Sequence, residues 1–185
     1  DAVVGKDGVY LLRLQETERA LQRERARLEA ILQNLPEGVI IARAPSGEIV
    51  LGNTQAERIW RLPILASATL QEYQRYKGFH PDGSEYRPHE WPLARTVTTG
   101  EVVEHEEIRF QRGDGSMGWL SVRSRPIRDE KGNVVSGVVT FSDITAEKRM
   151  EKSLRDVRDE LEKKVRKRTI DLERLTAQLR RLTMQ

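Results

Sequence analysis

The stretch VVTFSDITAEKRMEKSLRDVRDELEKKV, residues 138–165, changes character in its middle and decides how the chain is organised. Residues 138–141 are apolar or β-branched, as in a buried strand. From Ile144 to Gln185 the sequence is rich in Lys, Arg and Glu and contains neither Pro nor Gly, which is typical of a long helix. Only Ser142 and Asp143 separate the two patterns. The sequence therefore predicts a core strand that leads directly into a charged helix.

The predicted C-terminal helix carries a heptad-like apolar seam, whose positions follow each other in steps of three or four residues. The seam positions are Met150, Leu154, Val157, Leu161, Val165, Arg168, Leu172, Leu175, Leu179 and Leu182. Two successive steps of four residues, the second from Leu161 to Val165, indicate a four-residue stutter that locally unwinds a left-handed supercoil. A helix over 144–185 would reach about 63 Å, too far for one small domain to cover. We therefore expect a coiled coil with the same helix of a second copy, and hence a homodimer.

Residues 11–35 carry a second and sparser seam. Its apolar positions are Leu11, Leu14, Leu21, Leu28, Leu32 and Leu35, with Glu18 and Arg25 in two of the intervening slots. Such a seam suits either an amphipathic helix lying on its own domain or a helix of a coiled coil. We favour the coiled coil because the opposite face is almost wholly charged. The predicted organisation is a flexible start over 1–8, a signalling helix over 9–35, a globular domain over 36–143 and a C-terminal signalling helix over 144–185.

Composition marks the globular part, because residues 36–143 contain all 7 Pro of the chain and most of its 13 Gly. Two short β-type runs flank the turn Pro45-Ser46-Gly47 and predict a hairpin. Asn53 follows as a candidate N-cap for the helix TQAERIW. Three longer β-type runs, joined by the turns GDGS and DEKGN, complete the domain: Val102–Arg112, Gly118–Arg128 and Val134–Phe141. This order predicts an α+β fold with a five-stranded antiparallel sheet, short helices on one face and a coiled-coil helix at each end.

Two stretches resemble the PAS domain with its PAC segment, a sensory module of bacterial signalling proteins. They are LEAILQNLPEGVIIARAPSGEIVLGN, residues 28–53, and RGDGSMGWLSVRSRPIRDEKGNVVSGVVTFSDIT, residues 112–145. The resemblance implies that the last strand is the output strand and that Asp143, Ile144 and Thr145 form the signalling junction. Asp143 also suits capping of the following helix, because a carboxylate accepts from its free N–H groups. The family pattern pairs this Asp with a basic or hydroxyl side chain, which the sequence does not locate.

The tail LEKKVRKRTIDLERLTAQLRRLTMQ, residues 161–185, is similar to the linkers that precede the phosphoaccepting helices of sensor histidine kinases. This resemblance implies a cytoplasmic, bacterial two-component sensor as the parent protein. A diguanylate cyclase or another output protein is the alternative, because a similar helix can precede those domains. The chain itself carries no phosphoaccepting His motif and no ATP-binding motif. We therefore expect a non-enzymatic sensory or relay fragment of a larger protein, with a ligand-free structural dimerisation module as a further alternative.

A small-molecule ligand, if the domain binds one, is expected between the sheet and the helical middle of the domain, and no bound cofactor is the first expectation. Without cysteine the chain has no disulfide, no thiolate metal ligand and no photochemical flavin adduct. Haem binding is one alternative, with His89 as the candidate ligand, because His89 lies just ahead of the helix that carries the axial His in some PAS domains. Non-covalent flavin binding is a second alternative, with Trp60, Trp91 or Trp119 as the residues that would exchange electrons with the flavin. The residues expected around the ligand are Trp91, Leu93, Val97, Ile108 and Phe110.

The remaining polar features predict no further site. The 3 His residues are too scattered for a metal triad. In a strand through the acidic cluster Glu104 and Glu106 would share the face of the core, but we favour a strand that starts at residue 107 and leaves them in a solvated loop. A net charge of +3 among 32 basic and 29 acidic residues does not indicate nucleic-acid binding. The basic run 163–168 is typical of the solvated face of a coiled coil. No apolar run approaches the roughly 18 residues of a membrane span, so we expect no membrane contact.

Overall fold

The computed structural model describes residues 6–64 and 67–183. The first helix, α1, is Lys6–Gln33. It begins before the predicted residue 9, so residues 6–8 of the predicted flexible start are helical, and residues 1–5 lie outside the described residues. Gly8 stands in the first turn of α1, where a glycine weakens a helix by about 1 kcal/mol without ending it. Among the described residues, no helix is both long enough and apolar enough to cross a membrane.

An antiparallel sheet forms the body of the domain, which confirms the predicted α+β fold class. Its strands are β1 (Gly38–Arg43), β2 (Ile49–Gly52), β3 (Lys77–Phe79), β4 (Val103–Gln111), β5 (Met117–Arg128) and β6 (Val134–Asp143). The helices of the domain are α2 (Thr54–Trp60), 3₁₀ helices at Leu70–Arg75 and Pro88–Glu90, and α3 (Pro92–Thr99). The strand order β2-β1-β6-β5-β4-β3 places β6 between β1 and β5. The last strand is therefore hydrogen-bonded on both sides before the chain leaves the sheet.

The sheet has six strands in the described residues rather than the five predicted, because a short edge strand lies in the segment 63–99, for which the sequence predicts no strand. This strand, β3, pairs Lys77 with Gln111 and Phe79 with Arg109 of β4. Three residues with a central glycine carry too little alternation to predict a strand. Gly78 is nevertheless suited to the position, since a Cβ there would lie 2.5 Å from the Cη2 atom of Trp91.

One apolar core fills the space between the sheet and the helices. Across the paired strands Ile40 lies opposite Val139, and Val122 lies opposite Phe141. All four side chains are buried, and burial of such a side chain contributes about 1.5–3 kcal/mol. Gly137 of β6 allows α3 to approach closely, because a Cβ at this position would lie 2.7 Å from Val97. The core therefore packs α3 directly against β6.

Asn53 joins three elements at one end of the domain. Its side-chain oxygen accepts from the backbone N–H of Ala56, which confirms the predicted N-cap of α2, and also from the N–H of Val39 in β1. Its amide nitrogen donates to the carbonyl oxygens of Leu32 and Glu37. Because Asn53 is fully buried, its side chain supplies the buried N–H groups of Val39 and Ala56 with an acceptor. The end of α1 is thus fixed to the sheet.

The C-terminal helix α4, Thr145–Thr183, contains 39 residues and forms a compact unit separate from residues 1–143. At 1.5 Å per residue it is about 58 Å long. Its predicted seam is solvent-exposed in the single chain from Met150 to Leu179, with Met150 67%, Leu154 70%, Val157 60% and Leu161 60% exposed, while the side chain of Leu182 lies outside the described residues. The helix therefore keeps an apolar stripe, interrupted at Arg168, that its own unit does not bury.

Candidate functional site

A small apolar cavity lies inside the domain, between the sheet and the helical segments. Its volume is about 50 Å³, several times less than the roughly 300–1,000 Å³ of typical ligand pockets. None of the residues around it carries a charged side chain in the described structure. The cavity is lined by Ile40, Ile49, Trp60, Tyr73, Tyr76, Trp91, Pro92, Leu93, Leu120, Val122, Val139 and Phe141.

Aromatic rings form much of the wall, with Trp60 of α2 at their centre. The ring centroid of Trp60 lies 4.9 Å from that of Phe110, 5.0 Å from Tyr76, 6.0 Å from Trp91 and 6.5 Å from Phe141. All four pairs meet edge to face, the geometry that the ring quadrupoles favour. A displacement of any one ring therefore requires the others to move, and the cavity is connected to both β4 and β6.

The structure brings the five predicted pocket residues into one core but places only two of them on the cavity wall. Trp91 and Leu93 line the cavity. Val97, Ile108 and Phe110 are buried in the same cluster and lie behind the wall. The two tyrosines of the wall, in or just after the first 3₁₀ helix, were missed, because the segment 63–99 has no regular period to place a side chain inward. Their spacing of three residues was the available signal.

The polar atoms of the cavity residues differ in how they are satisfied. The hydroxyl of Tyr73 donates to the backbone oxygen of Gly47 at 2.8 Å. Among the described residues, neither the hydroxyl of Tyr76 nor the indole N–H of Trp91 has a hydrogen-bond partner, although both side-chain atoms are buried. Burial raises the pKa of both Tyr73 and Tyr76, because a phenolate would lose its hydration. Both hydroxyls are consequently protonated at neutral pH.

A polar network lies beside Trp91. The hydroxyl of Tyr86 donates to Oε1 of Glu106 at 2.7 Å, and the guanidinium of Arg95 donates to Oε2 of the same carboxylate at 2.5 Å. The ring of His80 stacks on Tyr86 with centroids 3.9 Å apart, and its Nε2 lies 3.4 Å from Oε2 of Glu90. Burial, followed by the hydrogen bond with Glu106, raises the pKa of Tyr86. The network fixes α3 and the segment after β3 to β4.

The predicted loop for the acidic cluster is wrong, whereas the side chain of Glu104 is 70% exposed and thus solvated as expected. Strand β4 begins at Val103, so Glu104 and Glu106 are strand residues. Each finds an arginine on a neighbouring element: Glu104 pairs with Arg125 at 2.9 Å, and Glu106 pairs with Arg95. A carboxylate at the edge of the core is tolerated when it is paired. Sequence spacing alone could not show that Arg95, eleven residues away on α3, supplies the charge.

The basic partner of Asp143, which the sequence could not locate, is Arg112. Its Nη2 atom donates to Oδ2 of Asp143 at 2.5 Å, and its Nη1 atom donates to the backbone oxygen of Met117 at 3.0 Å. The guanidinium carbon lies 4.8 Å from the ring centroid of Phe110. Gly118 makes room for this arrangement, since a Cβ there would lie 2.4 Å from Nη2 of Arg112. The side chain of Arg112 is only 6% exposed, so Asp143 compensates a largely buried charge.

Three consecutive residues connect the sheet to α4. Asp143 is the last residue of β6, Thr145 is the first residue of α4, and Ile144 connects them. The carbonyl oxygen of Ile144 accepts from the N–H of Lys148, which closes the first turn of α4. The capping of α4 by Asp143 stays a prediction. Strand β6 thus passes into α4 through a single intervening residue.

The cavity geometry also bears on cofactors. Flavin and haem are both far larger than about 50 Å³, so either would require the wall to open. His89 is exposed on the second 3₁₀ helix and is not part of the wall. Within residues 6–64 and 67–183 no group of three or more His, Cys, Asp or Glu is placed to hold a metal ion.

Comparison with known proteins places these features in a family. The family model described as a PAS domain matches residues 36–146. The chain is similar in structure to an RNA-binding Light-Oxygen-Voltage receptor, with a TM-score of 0.55 and 19% identity over 73% of this chain and 37% of that chain. It is also similar to the PAS domain of an HTR-like protein from Haloarcula marismortui, with a TM-score of 0.51 and 16% identity over 70% of this chain and 99% of that chain. No curated protein matches the chain.

Proposed function

The chain belongs to the PAS domain family, and we propose that it is a sensory or relay module of a signal-transduction protein. In this proposal the module dimerises and passes a conformational signal from its sheet through Asp143, Ile144 and Thr145 into a coiled coil formed by α4. The observation that carries the proposal is the ion pair between Arg112 and Asp143, at the point where the output strand ends.

The surroundings of Arg112 support transmission from the core to the helix. Arg112 follows β4 and lies over Phe110, whose ring contacts Trp60 in the wall of the cavity. A shift of that wall changes the position of the guanidinium relative to Asp143. Because the guanidinium is largely buried, it strongly favours keeping its carboxylate partner. The end of β6 is therefore expected to follow, and α4 begins two residues later.

The apolar stripe of α4 supports dimerisation through a second copy of the chain. Seam residues such as Leu154 and Leu161 are more than half exposed in the single chain, and they recur at heptad spacing. A second α4 presents the same spacing and can bury both stripes at once. The stutter between Leu161 and Val165 allows the coiled coil to pack in two ways of similar free energy. A signal that stabilises one packing by a few kcal/mol more than the other would therefore shift the population towards it and change the output.

We further propose that the parent protein is a sensor histidine kinase of a bacterial two-component system, with the module on the cytoplasmic side. The heptad linker at 161–185 supports this assignment by its resemblance to kinase linkers. A diguanylate cyclase is the alternative parent, since α4 suits either output domain. For the described fragment we propose no catalytic role. A ligand-free dimerisation module remains the alternative function, favoured by the small volume of the cavity.

Hydrogen–deuterium exchange on the whole chain tests the junction. Arg112→Met keeps the length of the side chain but removes the charge that holds Asp143. We expect amides over 144–160 to exchange about tenfold faster or more in this variant, because a loss of about 1.4 kcal/mol in local stability changes exchange tenfold. Asp143→Asn, a variant of the same shape, should produce the same pattern and serves if the first variant does not fold.

Arg125→Met is the matched control. Arg125 also lies on the sheet and also pairs with a carboxylate, but its ion pair with Glu104 is 63% and 70% exposed. An exposed pair contributes little, so this variant should leave exchange over 144–160 unchanged. If Arg112→Met and Asp143→Asn lower the melting temperature of the domain without changing exchange in α4, the junction does not couple the two regions and the proposal fails.

A further inference from the structure

Aromatic rings form a path from the core of the domain towards its surface. The ring centroids of Trp60 and Trp91 are 6.0 Å apart, and that of Trp91 lies 5.1 Å from that of Tyr86. Tyr86 stacks in turn on His80 at 3.9 Å. The first three side chains are buried, whereas the side chain of His80 is 31% exposed. Three side chains that can each lose one electron therefore follow one another from the core to a partly exposed position.

Tyr86 differs from the other buried tyrosines in the group that its hydroxyl contacts. Its hydroxyl donates to Oε1 of Glu106 at 2.7 Å. Among the described residues, the hydroxyl of Tyr73 donates to the carbonyl oxygen of Gly47, and that of Tyr76 has no hydrogen-bond partner. A carboxylate within about 2.6–3.2 Å is placed to act as a general base, whereas a backbone carbonyl oxygen is too weak a base to take the proton. The surroundings of Tyr86 therefore allow it to release its proton.

Arg95 holds Glu106 in position to accept this proton. Its guanidinium donates to Oε2 of Glu106 at 2.5 Å, which leaves Oε1 to Tyr86. The same guanidinium bonds to the carboxylate of Glu101 at 3.2 Å and to the backbone oxygen of Glu90 at 2.8 Å. When Glu106 takes up a proton, Arg95 keeps Glu101 as its counter-ion. The network thus accepts one proton without leaving a partly buried cation unpaired.

The surroundings of Trp91 favour movement of an oxidising equivalent towards Tyr86. A tryptophan that loses an electron becomes a radical cation, which is stabilised when the indole releases its proton. Within the part of the chain that the structure describes, the indole N–H of Trp91 is buried and has no hydrogen-bond partner. The oxidised indole therefore keeps its proton, and its positive charge is disfavoured by the apolar side chains around it. Tyr86 can lose a proton together with its electron, so it is the more stable position for the radical.

We infer that an oxidising equivalent delivered by a small one-electron oxidant passes from Trp60 through Trp91 to Tyr86. The radical cation of Trp91 takes one electron from Tyr86, the O–H bond of Tyr86 breaks, and its proton passes to Oε1 of Glu106. The products are a neutral Trp91, a neutral tyrosyl radical and a protonated Glu106, so charge is conserved, and the oxidant has gained the one electron lost. This one-electron redox activity goes beyond the proposed signalling function and does not depend on it.

Pulse radiolysis of the whole chain tests this path. Azide radicals formed by the pulse take one electron from Trp side chains and become azide ions. The chain has 3 Trp and 4 Tyr, and the background Tyr10→Phe/Trp119→Phe leaves only those that are buried in the domain. In this background the absorption of the indole radical should decay as that of the tyrosyl radical grows. The rate should be independent of protein concentration, because the transfer occurs within one molecule, and lower in D₂O, because a proton moves.

Tyr86→Phe should remove the growth of the tyrosyl radical and leave a long-lived indole radical. Tyr76→Phe is the matched control. The ring of Tyr76 lies 5.0 Å from that of Trp60, but its hydroxyl has no acceptor among the described residues. This control should leave the growth unchanged.

Glu106→Gln tests the proton acceptor, because an amide oxygen accepts the hydrogen bond of Tyr86 but does not take its proton at neutral pH. We expect the growth of the tyrosyl radical to slow by about 100-fold or more, the effect of losing a general base. Glu101→Gln is the matched control, since it also removes a carboxylate from Arg95 but does not change the group that contacts Tyr86. It should leave the rate unchanged.

Three outcomes overturn the inference. If Tyr86→Phe still forms the tyrosyl radical at the full rate, the path ends at another tyrosine. If Glu106→Gln and Glu101→Gln give equal rates, Glu106 does not take the proton. Equal rates in H₂O and D₂O contradict a coupled proton transfer, and this measurement stands if Tyr86→Phe or Glu106→Gln does not fold. None of these outcomes affects the exchange test of the junction at Arg112 and Asp143.

Discussion

Apolar side chains are buried in the domain but exposed on the C-terminal helix α4. Ile108 and Phe110 of the domain have no exposed surface, whereas Leu154 and Leu161 of α4 are 70% and 60% exposed. The domain obtains its stability from contacts within one chain, while α4 satisfies its backbone locally and keeps its apolar side chains exposed in the single chain. The comparison teaches that one region of the sequence specifies a fold, while the other keeps an unburied apolar face, which is the reason we propose an association.

The largest expected effect is on the association of α4. Replacing Leu154 and Leu161 by Lys removes four apolar side chains from a dimer, each of which contributes about 1.5–3 kcal/mol when buried. We expect the dimer of L154K/L161K to be weaker by at least about 1,000-fold, which corresponds to about 4 kcal/mol. Sedimentation equilibrium should show the mass of the wild type at twice 21.3 kDa and that of the variant at 21.3 kDa.

Asp159→Lys is the control for this prediction, because it changes the charge by the same amount at a position that faces away from the seam. It should remain a dimer, and the domain of L154K/L161K should melt at the wild-type temperature, since its core is separate. A wild-type chain that sediments as a monomer at high concentration would show that α4 needs a different partner.

The second prediction concerns the core. Phe110→Ala removes a fully buried ring that packs on Trp60 at 4.9 Å and lies under the guanidinium of Arg112. We expect a loss of about 3–5 kcal/mol in the free energy of unfolding, from lost transfer and the cavity left behind. Urea denaturation followed by Trp fluorescence measures it. Val50→Ala, at a residue 49% exposed, should change stability by less than about 0.5 kcal/mol.

The sequence allowed prediction of those features that depend on local spacing. The α+β class, the hairpin-linked strands and the Asn53 cap followed from turns, alternation and capping chemistry, and all are confirmed. The family was also recognised from the residues at both ends of the domain, and the match over 36–146 confirms it. The seam of α4 was visible because heptads are periodic, although its partner stays a prediction.

The features that were missed depend on contacts between distant segments. Strand β3 exists because β4 offers it an edge, and its three residues have no strand pattern of their own. Glu106 lies in the strand because Arg95 and Tyr86 satisfy its carboxylate. Arg112 pairs with Asp143 across 31 residues of sequence. No period or motif in one sequence encodes such pairings, so they could not be predicted without the structure.

The third prediction concerns the attachment of α1 to the domain. Asn53→Ala removes the side-chain hydrogen bonds to the backbone N–H groups of Val39 and Ala56 and to the carbonyl oxygens of Leu32 and Glu37. We expect the free energy of unfolding to fall by about 2–3 kcal/mol, from the lost cap and the buried groups left unpaired. Urea denaturation measures this loss, and hydrogen exchange should show earlier opening at the end of α1.

Asn34→Ala is the control for Asn53→Ala, because Asn34 is exposed and its side chain bonds only within the end of α1, to the carbonyl oxygen of Ala30. It should change stability by less than about 0.5 kcal/mol. Equal losses from the two variants would contradict the role of Asn53 as the residue that joins α1, β1 and α2.

The smallest expected effect is a pH dependence that belongs to the domain alone, since α4 contains no Tyr. Burial holds the pKa of Tyr73 above its ordinary value of 10.0, so the unfolded chain releases this proton at a lower pH than the folded chain. Stability is therefore full below pH 10 and falls as the pH rises above it, by about 1.4 kcal/mol per pH unit for one proton.

Tyr73→Phe removes this contribution, and urea denaturation between pH 9 and 11 should show a shallower decline. The lost hydrogen bond to Gly47 lowers stability equally at every pH, so the slope carries the test and the offset does not. Parallel declines for the two proteins would mean that Tyr73 ionises in the folded domain as readily as in water, and that the core around the cavity is more hydrated than its apolar wall indicates.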